Sequence, residues 1–332
     1  MEKFKNLLIT GGAGYVGSAL VPSLLEKEYN VTVYDLYLYG NVFSHLKDHP
    51  NLTQVKADIR DKNKILDAAK NIDAIIHLAC ISNDPSYELD PNLGKSINYD
   101  AFFNVLDAAK KNNVKRFIYA SSSSVYGIKN EENVRENVPA EPLTDYSKFK
   151  LECEKKLLNF DEPNMERAVV RPATVCGYAP RLRLDLVVNI LTIHALINKK
   201  IKIFGGEQLR PNINIKDMVR VYEALLSAPA KKINGQVFNA GYQNLSVNKI
   251  AELIKDTIGD SSIMFETIPT DDIRSYHINS DKIRDVLNFK PKYSIEDGIK
   301  SICEAYEAGL IKDGLNNPIY HNIKLMRKVN LK

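Results

Sequence analysis

Residues 6–17 read NLLITGGAGYVG, and the organisation of the chain can be worked outward from them. Asn6–Thr10 is a short apolar run of the kind that forms a buried strand, and the residues from Tyr15 onward carry helical apolar spacing. Between them Gly11, Gly14 and Gly17 recur every three residues. Glycine there lets the turn be tight and lets backbone N–H groups approach a ligand, while the helix N-terminus beyond favours an anion. Strand, glycine turn and helix in that order form a cradle for a dinucleotide pyrophosphate. Asp35 ends the next strand-like run, 18 residues after Gly17. A carboxylate there accepts hydrogen bonds from the adenosine ribose and repels a 2′-phosphate. No cation follows it among Leu36, Tyr37, Leu38 and Tyr39, so the expected cofactor is NAD rather than NADP. Asp58 and Ile59, after the third strand, fall where the adenine edge would lie, with a helix cap as the competing role for Asp58.

Outward from this core, apolar runs at Val31–Asp35, Leu52–Ala57, Ala74–Ala79, Arg116–Ser121 and Arg167–Thr174 alternate with helical patterns. The helical segments are Tyr15–Glu28, Lys62–Lys70, Asn98–Asn112 and Tyr146–Asn159. Strands separated by such helices imply right-handed crossovers, hence an α/β fold with a doubly wound parallel Rossmann sheet. After Thr174 the rhythm loosens. A helix over Leu186–Asn198, strands at Lys200–Phe204 and Gln236–Asn239, and a helix capped by Ser246 suggest a smaller, interleaved C-terminal substrate-binding domain. The expected division is 1–175 plus about 208–242 for the NAD-binding domain, and 176–207 plus 243–332 for the second. The tail from Asn316 is expected to be poorly ordered.

Composition narrows the function. The 332 residues carry 45 Lys+Arg against 41 Asp+Glu, a balance of +4 too even to suggest nucleic-acid binding. Cys80, Cys153, Cys176 and Cys303 are far apart and fit neither a zinc site nor a disulfide framework, which points to a reduced, cytoplasmic setting. His45 and His49 have helix-metal spacing but no third ligand, so no metal is expected. The N-terminal apolar stretch is broken by glycines, and no run is long enough to span a membrane.

Tyr146 and Lys150 are four residues apart at the start of a helical pattern and so share a face. For tyrosine to act as a base its pKa must fall from about 10 toward 7, worth about 4 kcal/mol. One cation at about 4 Å contributes up to about 4 kcal/mol at an effective dielectric near 20, before desolvation is charged against it. Lysine alone is marginal; lysine together with a positive nicotinamide ring would suffice. Upstream, the fifth strand runs into Ser121-Ser122-Ser123-Ser124, hydroxyls at the end of a parallel sheet where such folds bind ligands.

Taken together, GGAGYVG at 11–17, Asp35, HLA at 77–79, SSSSVYG at 121–127, YSKFK at 146–150 and RPATVCG at 171–177 resemble the extended short-chain dehydrogenase/reductase family. GGEQLRPNINIKD at 205–217 and the run DDIRSYHINSDKIRDVLNFKPKYSIEDGI at 271–299 extend the resemblance over essentially the whole chain. The family comprises nucleotide-sugar epimerases and dehydratases. The resemblance implies that Tyr146 is the acid/base on a sugar hydroxyl, that Lys150 holds the nicotinamide ribose, and that Ser122 bonds the same oxygen. It implies cofactor contacts from Gly11, Gly14, Tyr15, Val16, Asp35, Asp58, Ile59, Leu78 and Ala79, as well as from Tyr146 and Lys150. It implies substrate contacts from Ser123, Thr174, Asn189, Arg210 and Arg274, and a homodimer through the helix carrying Tyr146.

In the dehydratases an Asp-Glu pair follows the position of Ser122, because expelling water needs a separate acid and base. Here Ser123-Ser124 stand there, and the decarboxylating relatives' Glu is likewise absent at Ser124. The resemblance therefore favours a nucleotide-sugar epimerase working at C4 through a 4-keto sugar. Thr174, Asn214 and the stretch RLRLDLVVN at 181–189 depart from the common epimerase pattern. They keep open a net 4-oxidase or 4-keto reductase of surface-polysaccharide sugars.

Overall fold

The computed structural model of the protein describes residues 4–270, 275–329 and 331. In chain order the first part comprises β1 (Asn6–Thr10), α1 (Tyr15–Glu26), β2 (Asn30–Asp35), β3 (Leu52–Lys56), α2 (Lys62–Ala68), β4 (Ala74–His77), α3 (Asp84–Tyr87), α4 (Pro91–Lys95), α5 (Ala101–Lys111), β5 (Arg116–Ala120), α6 (Asp145–Leu158) and β6 (Glu166–Pro172). It continues through β7 (Thr174–Cys176), α7 (Val187–Asn198), β8 (Lys200–Phe204), β9 (Leu209–Asn214), α8 (Ile215–Ser227), α9 (Ala230–Ile233) and β10 (Gln236–Ala240). The last elements are β11 (Gln243–Ser246), α10 (Val247–Ile258), β12 (Met264–Ile268), α11 (Asp281–Leu287), α12 (Ile295–Glu307) and α13 (Asn322–Val329).

Among the described residues seven strands form one sheet in the order β10-β6-β5-β4-β1-β2-β3, with every pairing parallel. The direction of winding, not of the chain, reverses between β1 and β4: β2 and β3 extend the sheet on one side and β5 and β6 on the other, and that switch point opens a crevice at the C-terminal strand ends. Side-chain alternation sorts the strands onto two faces. Leu7, Ile9, Val33, Ile76 and Ile118 pack with residues of α1 and α8 in one core, and Leu8, Tyr34, Ile75, Phe117 and Tyr119 pack with α2, α5 and α6 in the other. Burial on both faces explains why these strands read as continuous apolar runs.

The remaining strands stand outside this sheet. β9 pairs with β7 and β11, and β12 pairs with β8. A third core of Ile201, Ile203, Val247, Ile250, Ile254, Ile295 and Ile299 gathers α7, α10 and α12 around them. The tail corrects the expectation of poor order. Pro318–Tyr320 forms a 3₁₀ turn and α13 follows, with Tyr320, Asn322 and Leu325 buried. The segment looked unstructured because its charges are frequent, yet its apolar positions fall on one helical face.

Two local devices shape the crevice. Gly11 has φ of +70°, and a Cβ there would stand 2.5 Å from the backbone nitrogen of Ala79. Only glycine permits that approach. Asn98 lies in a π-helical turn at Ser96–Asp100, ahead of α5 and where a regular helix was expected. Its amide receives Ile81 N–H at 2.7 Å and donates to Ile81 C=O at 2.9 Å, pinning the loop after β4.

Candidate active site

A cavity of about 870 Å³ occupies the crevice, a size suited to small-molecule recognition. Gly11, Gly14, Tyr15, Val16, Asp35, Asp58, Ile59, Leu78 and Ala79 all line it, and so do Ser122, Ser123, Tyr146, Lys150, Thr174 and Arg210. Residues spread over 200 positions of sequence thus converge on one chamber. Asn189 does not line the cavity. It is fully buried, its Oδ1 accepts Gly177 N–H at 3.0 Å, and its Nδ2 donates to the Tyr15 hydroxyl at 3.0 Å and to Arg183 C=O at 2.9 Å. The amide is committed to fastening the loop after β7 against α1, so the expectation of a substrate contact is corrected. Arg274 lies outside the described residues.

The glycine-turn end fits a dinucleotide. No acidic residue occupies the first turn of α1, whose N-terminus faces the chamber. Asp35 accepts Tyr37 N–H at 2.7 Å through Oδ1 and Ala13 N–H at 3.0 Å through Oδ2. Each oxygen keeps a further lone pair, enough for two ribose hydroxyls. Burial raises the Asp35 pKa against these hydrogen bonds. Asp58 is held by Arg60, with Nη2 at 2.7 Å from Oδ2. Burial pushes that carboxyl up, and the Arg60 contacts outweigh it, leaving Asp58 below its ordinary value. The cap of α2 is Asp61, not Asp58.

At the other end, Thr144 caps α6 with a reciprocal Ser147 contact, and the first two turns of the helix deliver Tyr146 and Lys150. Lys150 is 3% exposed and donates to Ala120 C=O at 2.7 Å, with its ammonium 5.9 Å from the Tyr146 ring centroid. Burial pushes the Tyr146 phenol well above its ordinary value. Cys80 and Asp84 add to this, while Arg183 and a Ser122 hydrogen bond pull the other way. The protein's own groups therefore hold Tyr146 as a protonated acid, and forming the base requires added positive charge nearby. Ser122 caps the 3₁₀ turn Ser123–Tyr126 and shares a 2.8 Å hydroxyl contact with Ser124. His77, at the end of β4, bonds Thr10 Oγ1 at 2.6 Å, and burial followed by the Lys150 charge lowers its pKa to about 3. It is a neutral structural group.

Several residues in and behind the chamber escaped the sequence reading. Glu154, two turns after Tyr146, pairs with Arg171 of β6 at 2.7 Å, and both are nearly fully buried. Glu154 also accepts the Ser121 hydroxyl, and Arg171 donates to Tyr126 at 2.8 Å. The i, i+4, i+8 spacing of Tyr146, Lys150 and Glu154 on one helix was the available signal. Asp84, Asp185 and Asn322 escaped that reading too, and they line the cavity beside Arg181 and Arg183, which the sequence offers as pocket residues. Among the described residues no three His, Cys, Asp or Glu side chains gather as a metal site, and no helix is long and apolar enough to cross a membrane.

Residues 7–241 match the family model described as the NAD dependent epimerase/dehydratase family. A protein of Bacillus subtilis described as an uncharacterized UDP-glucose epimerase is 31% identical over 305 residues, covering 88% of this chain and 95% of the relative. The crystal structure of a UDP-glucose 4-epimerase with UDP-glucose from Thermotoga maritima superposes with a TM-score of 0.80 at 27% identity, covering 92% of this chain and 99% of that one. MoeE5 in complex with UDP-glucuronic acid and NAD superposes at 0.78 and 27% identity, covering 92% and 99%.

Proposed function

The chain belongs to the NAD dependent epimerase/dehydratase family, and on that footing we propose that it is a nucleotide-sugar 4-epimerase acting through a transient 4-keto sugar. The observation that carries this reading is the meeting of Ser122, Tyr146 and Lys150 in one chamber, where Ser123 and Ser124 supply no carboxylate. Removing water or carbon dioxide calls for an additional acid or base beside the tyrosine. A hydroxyl-lined wall suits a reaction whose only proton-transfer group is the tyrosine.

Held by Gly11, Gly14, Asp35 and Lys150, NAD would supply a reversible hydride acceptor for the sugar carbon. The cavity binds the sugar so that its C4 hydroxyl meets Tyr146, with Ser122 donating to the same oxygen. Tyr146 takes the hydroxyl proton as the C4–H bond breaks, leaving a ketone. Lys150 keeps positive charge near the phenolate. The keto sugar then turns over within the chamber, and Tyr146 returns its proton to the carbonyl oxygen as the opposite face is reduced. Atoms balance and no net oxidant is consumed. Thr174 and Arg210 serve as substrate contacts in this reading.

The reading extends to a cytoplasmic homodimer. The dimer's support is the half-buried ring cluster of Tyr99 in the π turn, Phe103 in α5 and Phe149 in α6, in which the Tyr99 centroid lies 5.1–5.2 Å from the other two. The test is incubation of purified protein with UDP-, GDP-, CDP- and dTDP-sugars, without added cofactor, followed by mass-resolved chromatography. A product of unchanged mass at a new retention time is expected. A product lighter by two hydrogens would replace this reading with a net oxidoreductase.

A further inference from the structure

Arg181 precedes α7 by one short loop, yet it sits against the opposite part of the molecule. Its backbone N–H donates to Ser18 Oγ, in the first turns of α1, at 3.1 Å. Its guanidinium carbon lies 3.6 Å from the centroid of the Tyr39 ring, and its Nη2 donates to Asn322 Oδ1. The residue is 4% exposed and lines the cavity. Among the described residues its Nε and Nη1 have no hydrogen-bond partner. Burial lowers its pKa to about 10, so it remains charged at neutral pH. A buried cation with unspent donors is costly unless an anion meets them.

Three neighbours say where that anion sits. Ser18 and Tyr15 belong to the start of α1, and Tyr39 belongs to the loop leaving β2. The Arg181 charge is felt at Asp35, Tyr15 and Tyr39. These surround the glycine turn, not the Gln208–Arg210 side of the cavity. Asn322 closes the arrangement from the C-terminal end: it donates to Ser82 Oγ at 3.1 Å through Nδ2 and to Asp185 Oδ2 at 2.9 Å through its backbone N–H. Five remote segments thus meet over one mouth of the crevice.

We propose that Arg181 reaches over the glycine turn to hold a diphosphate seated at the α1 N-terminus, and that Tyr39 and Asn322 latch it there so that the dinucleotide is retained. A guanidinium fork and a helix N-terminus together suit two adjacent phosphoryl groups. The nucleotide sugar also carries a diphosphate; placement beside Ser18 and Asp35 assigns Arg181 to the cofactor's. The inference rests on dinucleotide binding at the glycine turn and is independent of which sugar is turned over.

The experiment compares wild type, Arg181→Ala, Arg181→Lys and Asn322→Ala for release of radiolabelled NAD, and for calorimetric binding of ADP, of 2′,5′-ADP and of UDP. Arg181→Ala should release NAD and weaken ADP by about ten- to a hundredfold, the worth of a charge-assisted contact, while UDP binding holds. Arg181→Lys should recover part of the loss, since it keeps the charge without the fork. Asn322→Ala, which frees the latch without removing the cation, should speed NAD release and carries the test if Arg181→Ala does not fold. Unchanged NAD release in the folded variants would overturn the proposal. So would a loss confined to UDP, which would move Arg181 to the substrate, or one confined to 2′,5′-ADP, which would make it a 2′-phosphate reader. Absence of ADP binding by the wild type would instead refute the dinucleotide site itself.

Discussion

Glu154→Gln isolates the pair on which the catalytic helix rests. Glu154 is bound by Arg171 through Nη2 at 2.7 Å and Nε at 3.0 and 3.2 Å, and side-chain exposures are 2% and 7%. Glutamine keeps the shape and one acceptor, so the Ser121 hydroxyl and one Arg171 contact can survive. What it removes is the negative charge, leaving a buried guanidinium uncompensated. Breaking one partner of a buried pair costs about 3–5 kcal/mol. For 332 residues the unfolding entropy near the midpoint is about 0.7 kcal/mol per kelvin, so the melting temperature should drop by about 4–7 °C. The assay is thermal unfolding of the holoenzyme at fixed cofactor concentration, beside the double variant Glu154→Leu with Arg171→Met. Replacing both charges with apolar groups should restore much of the loss, because desolvation then has nothing to oppose. Because Glu154 ties α6 to Arg171 of β6 through both carboxylate oxygens and glutamine keeps only one acceptor, the single variant should also lower kcat more than it raises KM. A shift under 1 °C, or a double variant worse than the sum of the singles, would refute the reasoning.

Three further outcomes follow from the site. Tyr146→Phe should keep its fold and NAD, judged by melting and cofactor content, and lose at least about a hundredfold in turnover, the usual scale of a general acid–base contribution; near-normal rates would remove the phenol from the chemistry. Gly11→Ala should abolish NAD retention and lower stability, because the new Cβ meets backbone at 2.5 Å and φ is +70°; equilibrium dialysis with NAD reads it directly. His77 is neutral when folded, with a pKa of about 3 against about 6.5 unfolded, so the unfolded chain binds the extra proton first as pH falls. That contribution is complete above pH 6.5 and fades as pH drops toward 3, at up to about 1.4 kcal/mol per unit. Urea titrations at pH 7 and 5 should differ by about 2 kcal/mol more for wild type than for His77→Gln.

What the sequence disclosed was whatever chemistry repeats locally. β1 and β8 were legible to the residue because an apolar run bounded by glycine or charge needs no partner to be recognised. The Gly11–Gly17 turn was legible because its φ demand and close approach to Ala79 are written in residues that can be nothing but glycine. β9 was missed because Pro211 interrupts its strand pattern, and the proline is accommodated where β9 pairs with the short outer strand β11. Asn189 was misplaced for a different reason. On a helix it reads as a surface amide, and only the arrival of Tyr15, 174 positions earlier, buries it and consumes its hydrogen bonds. The same holds for Glu154 with Arg171. Each is an ordinary polar residue in its own window, and its meaning comes from a partner that the topology supplies. Charge compensation in a buried site is a pairwise property, so no local pattern can announce it. The tail carries the consequence furthest. Its lysines and arginines read as solvated chain, yet Asn322 anchors it across one mouth of the crevice through Arg181, Ser82 and Asp185, contacts that exist only once both halves of the fold have closed. Retention of the dinucleotide is therefore expected to respond to changes at the far end of the chain, while the glycine turn that recognises it remains intact.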